Sequence, residues 1–166
     1  MSRVLIYAVI FLALLSFEVG FLNTLPWPWS LTPLIPIVSV WIYHTWHSPL
    51  GIWFLLAWGF AMEWLNLFPW FSPLVVSVVI GLGVLLWVER LFSHRSLWGL
   101  FAVSLLSMGS WALVEGLFRL FNASTVPDVA LFGFAENMLL RTLMALMVSV
   151  LLFFFEERIR RLGLRL

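Results

Sequence analysis

The sequence predicts an all-α polytopic membrane protein: a compact bundle of about six transmembrane helices, the second and fourth short, with both termini cytoplasmic. Three observations lead there. Of 166 residues, 63% are hydrophobic and only 10% charged, against about 25% charged in an ordinary soluble domain, so too little polar surface exists to coat a water-soluble globule. The mean hydropathy of +1.08 comes from long apolar runs, several near the ~20 residues that a helix needs to cross a bilayer. The arginines, finally, gather where cytoplasmic connections would place them. Helices of this length use most of the chain, so residues 1–166 are expected to form a single integral-membrane domain.

The apolar runs cover residues 4–22, 31–46, 50–68, 73–88, 97–118 and 137–155. The first follows Arg3 and resembles a signal peptide, but Ser16-Phe17-Glu18-Val19-Gly20 offers no small-x-small cleavage site, so it is read as a transmembrane helix. Asn23-Thr24-Leu25-Pro26-Trp27-Pro28 ends it, Ser48-Pro49 separates the second run from the third, and Pro69-Trp70-Phe71-Ser72-Pro73 separates the third from the fourth. The second and fourth runs would rise only about 24 Å as helices. Pro33 and Pro36 leave open a broken or re-entrant second segment.

All nine basic residues are arginine, and four occupy the last nine positions, so their placement says more than the net charge of +1. With six spans, Arg3, Arg90, Arg95, Arg158, Arg160, Arg161 and Arg165 fall on the cytoplasmic side, and only Arg119 and Arg141 reach the outer ends of the fifth and sixth helices. Arg90, Arg95, Arg158, Arg160, Arg161 and Arg165 form the expected cytoplasmic anchor, in contact with the lipid bilayer. Trp27, Trp29, Trp64 and Trp70 would mark the outer interface, and Trp41, Trp46, Trp87 and Trp98 the inner one. Without a basic stripe interleaved with aromatics, the chain is not read as a nucleic-acid binder.

A charge within hydrocarbon costs about 2.5–3.5 kcal/mol on insertion scales, so embedded ionisable groups need a partner, a cavity or a function. Glu18, Glu63, Glu115, Glu136 and Arg141 all fall near the outer level, with Asn23, Asn66, Asn122 and Asn137. Glu115 and Arg119 stand at i and i+4 with the acid first, the favourable order for a pair on one helix. Gly59, Glu63 and Asn66 form a polar strip on the third helix, and Arg141 is its expected cross-helix partner. An outer-leaflet network of Glu63, Asn66, Glu115, Arg119 and Arg141, with Glu18 beside it, would either close the bundle or line a small cavity. Enzyme chemistry finds no set of groups. The chain has no cysteine, His44 and His47 share an inner level without a third ligand, and Ser110 has no base at its depth. No catalytic residue, metal or cofactor is expected.

Leu25-Pro26-Trp27-Pro28 after the first helix, the proline-marked Leu31-Thr32-Pro33-Leu34, and Gly51 and Gly59 followed by Glu63 resemble the rod-shape-determining MreD family. The family usually has aspartate where this chain has Glu63. The resemblance implies a non-enzymatic scaffold of the bacterial inner membrane, in the cell-elongation machinery (the elongasome). It would link a bitopic MreC-like partner and a peptidoglycan synthase to the actin-like cytoskeleton. Two alternatives come from other classes: the substrate-binding S-component of an energy-coupling-factor vitamin transporter, with Trp64 and Trp70 stacking a flat ligand, or a small subunit of another membrane complex.

Overall fold

The computed structural model of the chain describes residues 2–65, 67, 71–90, 96–121 and 129–161, the side chains of 2–4, 87–90, 129–132 and 159–161 excepted. Six α-helices occur among the described residues: α1 (Ser2–Gly20), α2 (Leu34–Trp46), α3 (Leu50–Trp64), α4 (Pro73–Arg90), α5 (Leu97–Phe121) and α6 (Val129–Arg161). Two short 3-10 turns, Leu22–Thr24 and Trp29–Leu31, connect α1 to α2. No strand occurs among the described residues. Leu5–Thr24, Leu97–Phe121 and Gly133–Arg158 are long and apolar enough to cross a membrane, whereas Leu34–Trp46, Leu50–Trp64 and Pro73–Leu86 are apolar but shorter. Asn66, Trp70, Arg95 and Arg165 lie outside the described residues, as do the side chains of Arg90, Arg160 and Arg161. The Arg158 side chain is exposed near the end of α6.

Proline chemistry corrects the expected second span. The chain makes a 3-10 turn at Trp29–Leu31 and becomes α-helical only at Leu34, after Pro33, so α2 rises only about 20 Å. Pro36 then falls in the first helical turn, where a missing N–H costs no helical bond. His47 closes α2 in the left-handed region (φ 51°), its N–H bonded to the Tyr43 carbonyl. The third helix also stops early, at Trp64. Ser72 and Ser96 begin α4 and α5: Ser72 Oγ accepts the Val75 N–H and Ser96 Oγ the Gly99 N–H at 2.8 Å, serving as N-caps. In the other direction, α6 overruns expectation at both ends, to 33 residues.

Short α2 is the hub. It packs against each of the other five helices, and every residue from Ile35 to Thr45 is buried. A helix that is buried all round needs no lipid-facing stripe. This is why Trp41, expected at the inner interface, is instead inside, while Trp46 and Trp98 are exposed. Two close approaches bring the neighbours in. A Cβ at Gly51 would overlap the Ser39 carbonyl of α2, and a Cβ at Gly59 would overlap the Ser77 side chain of α4.

The interior combines an apolar core with buried polar groups, and large apolar side chains cover much of the perimeter. Ser39, His44, Thr45, Ser77, Ser104, Ser107, Ser149, Glu18, Glu115 and Glu156 are buried, while leucines, valines and aromatics of α1, α3, α4, α5 and α6 are exposed. Several of the buried hydroxyls hold helices to one another or to their own turns, whereas the Ser39 Oγ in α2 is buried without a hydrogen-bond partner among the described residues. Ser104 and Ser149 Oγ are 3.0 Å apart across α5 and α6, and Ser149 also donates to the Ala145 carbonyl.

Gly59→Ala is expected to destabilise the bundle by about 1–3 kcal/mol, as overpacking does, and adding Ser77→Gly should restore part of the loss. Gly81→Ala, whose added Cβ meets only the side chains of Leu55 and Ile52 at 3.8 and 3.9 Å, should unfold near the wild-type temperature. Thermal unfolding of the three variants in one detergent checks this, and an unchanged Gly59→Ala protein would contradict the tight α3–α4 seam.

Candidate functional site

The first turn of α2 presents buried amides that need acceptors, as every helix start does. Each is accounted for. The Leu34 N–H bonds the Thr32 carbonyl and the Ile37 N–H the Pro33 carbonyl, Pro36 has none, and the Ile35 N–H donates to Glu18 Oε2 at 2.6 Å. Glu18, only 4% exposed, thus reaches from α1 to cap another helix, where a carboxylate also meets the positive end of the helix dipole. Its second oxygen accepts the Trp58 Nε1–H of α3 at 2.9 Å. One carboxylate thereby joins three helices.

Trp58 packs on Trp111 of α5 with ring centroids 5.2 Å apart, and Trp111 leads to a second acid. Glu115, 3% exposed, accepts the Trp111 Nε1–H at 3.1 Å and pairs with Arg119 at 2.8 Å and with Arg141 of α6 at 3.3 Å. The Arg141 guanidinium lies 4.6 Å from the Trp111 ring centre, and that of Arg119 4.9 Å from the Phe134 ring centre, both in cation–π range. Glu18, Trp58, Trp111, Glu115, Arg119 and Arg141 therefore form a continuous polar seam at one end of the bundle. Trp27 Nε1 adds a 3.4 Å contact to Asn137 Oδ1 of α6 at that end.

Of the residues singled out in the sequence, the structure brings Glu115, Arg119 and Arg141 into one cluster and ties Glu18 to it through two indoles. Glu63 goes elsewhere. It is exposed and accepts from Ser72 Oγ at 2.7 Å and from the Leu74 N–H at 3.4 Å, capping α4; the expected Glu63–Arg141 pairing is replaced by Glu115–Arg141. The strip does face a neighbour at Gly59, but that neighbour is α4. At Glu63 the α3–α4 seam opens to the outside.

Trp58 and Trp111 are functional residues of this seam that hydropathy alone does not single out. A signal is present in the sequence: Trp111 and Glu115 are four apart, and a buried indole N–H usually finds an acceptor. At the opposite end, Thr45 Oγ1 of α2 donates to Glu156 Oε2 of α6 at 3.3 Å. Glu156 is buried and turned into the bundle, unlike the anchoring role expected for the end of that helix. Among the described residues, no group of three His, Asp or Glu side chains is arranged to hold a metal ion.

Glu18→Leu should strand two buried donors, at about 1–3 kcal/mol each, whereas Glu63→Leu should cost about 1 kcal/mol as an exposed cap. Thermal unfolding of both variants in the same detergent ranks them. Equal losses, or a larger loss for Glu63→Leu, would overturn the assignment of Glu18 as the joint.

Compared with known proteins, the chain matches no family model, no curated protein and no solved structure.

Proposed function

We propose that the chain is a multi-pass protein of the bacterial inner membrane, with both termini cytoplasmic, that acts as a non-enzymatic scaffold in the cell-elongation machinery, in the manner of the MreD family. The observation that carries the membrane part is the apolar perimeter: large apolar side chains are exposed along α1, α5 and α6 while Glu18 and Glu115 are buried. Water would disfavour that perimeter on this scale, and hydrocarbon suits it.

The scaffold part is supported by how the polar groups are used. The buried acids at the polar end each hold several donors from different helices, which is the work of a joint. The residues that carry the family resemblance also lie at joints. Pro33 precedes α2, Gly51 and Gly59 sit at close helix approaches, and Glu63 caps α4. A rigid bundle of this kind acts through its surfaces. Exposed Trp27 and Trp29 at the polar end and Phe154 and Phe155 toward the other offer contacts to an MreC-like bitopic partner and to a peptidoglycan synthase.

Purification of the tagged chain from native membranes in mild detergent, followed by mass spectrometry, should recover a periplasmic coiled-coil partner or a glycan-polymerising synthase. Recovery of ATPase subunits, or of a tightly bound vitamin-sized molecule, would replace the scaffold reading with that of an uptake component.

A further inference from the structure

Two arginines share one acid at the polar end of α5 and α6. Glu115 receives Nε and Nη2 of Arg119 on one oxygen, at 3.2 and 2.8 Å, and Nη1 of Arg141 on the other, at 3.3 Å. A guanidinium carries five N–H donors, so these bonds leave most of both edges uncommitted. Neither arginine bonds another acceptor among the described residues. Their faces are occupied instead, Arg141 over the Trp111 ring and Arg119 over the Phe134 ring. Stacking engages the face of the planar cation and leaves its in-plane N–H groups free to bond.

The charges are unequal as well. Arg119 and Arg141 are close enough for each positive charge to oppose the other, and Glu115 alone pairs with both. Glu18 brings the total of the seam to zero, but its oxygens hold the Ile35 amide and the Trp58 indole and accept nothing from the arginines. Glu136, which precedes Arg141 on α6, is exposed and forms no ion pair among the described residues. Access is from the perimeter, since the side chain of Arg119 is 30% exposed against 11% for Arg141. The surface around it is apolar. A Cβ at Gly116 would meet the Phe134 ring at 3.7 Å, which places that face of α5 at the groove with α6, and Leu120 follows one turn later, 64% exposed. With Leu113 and Leu117, also exposed, it forms a stripe that leads from the level of the arginines toward the middle of the bundle.

We propose that this end of α5 and α6 binds an anionic phospholipid, its phosphate held by the free edge of Arg119 with Arg141 supplying charge behind it, and its acyl chain lying along Leu113, Leu117 and Leu120. Arginine meets phosphate oxygens with two parallel N–H bonds. The anionic head supplies the second negative charge that the two arginines lack where they stand, and the tail covers the leucine stripe. The proposal rests on the membrane reading above.

The chain has no cysteine, so a single fluorophore can be placed by Leu120→Cys beside Arg119, or by Phe17→Cys on α1, an exposed position next to Glu18 and therefore at the same end of the bundle. The full-length protein is reconstituted in dioleoyl phosphatidylcholine vesicles that contain an equal, small fraction of phosphatidylglycerol or of phosphatidylcholine carrying a nitroxide high on one acyl chain, and quenching is recorded. At position 120 the glycerol lipid should be enriched over the choline lipid by about fivefold, the factor that one arginine gains near anionic lipid, and at position 17 the two should quench alike. Arg119→Gln should abolish the preference, and Arg119→Lys should keep part of it. Comparing 120 with 17 involves no change at Arg119, so it holds even if Arg119→Gln fails to fold. Equal quenching by the two lipids at 120, or the same preference at both positions, would overturn the proposal and leave the membrane reading intact. A preference at 120 that inorganic phosphate erases at constant ionic strength would assign the site to the free ion and overturn the lipid as occupant. An unquenched label at 120 beside a quenched one at 17 would mean that protein covers the groove instead of lipid. Labels that neither lipid quenches at either position would remove the membrane reading itself.

Discussion

An acid buried among apolar helices must be met by donors where it stands, and this requirement organises the polar end of the bundle. Glu115 is met by Arg119 from its own helix, by Arg141 from α6 and by the Trp111 indole. Arg141 is itself only 11% exposed at its side chain, so neither partner can turn to water without moving a helix. Pairs of this kind contribute modestly to net stability, because desolvation offsets much of the attraction, but removing one partner is severe. The pair therefore specifies how α5 meets α6 more than it adds to stability.

The second acid extends the same constraint to the rest of the fold. Glu18 brings α1 to the start of α2 and to Trp58 of α3, and contact between Trp58 and Trp111 connects the two acids. With α2 buried at the centre, its amides have only protein to bond. The apolar outer faces impose no such geometry, since contacts of leucine and phenylalanine are not directional. Order in this bundle comes from a few polar contacts and from close approaches at Gly51 and Gly59.

Much of this was legible in the sequence, for reasons that can be named. Six helices followed from hydropathy and punctuation, and the Glu115–Arg119 pair followed from spacing, since both are local properties. Which acid faces inward was not legible. Glu18 and Glu63 sit in similar apolar runs near the same level, and only the packing order decides that Glu18 points at α2 while Glu63 lies at an open seam beside α4. The central place of α2 was hidden for the same reason, because a buried helix and a lipid-facing one are equally apolar. The ends of α2 and α3 moved because backbone bonding near Pro33 and Trp64 is not set by hydropathy.

The claim that the Glu115–Arg141 pair locks α5 to α6 is tested most directly by a double-mutant cycle. Glu115→Leu, Arg141→Leu and the double variant would be compared by thermal or chemical unfolding in one detergent. The account predicts that each single change costs about 3–5 kcal/mol and that the double variant is far less damaged than the sum, because no buried charge is left stranded across the seam. Additive losses would mean that the two groups do not depend on each other, and would contradict the account.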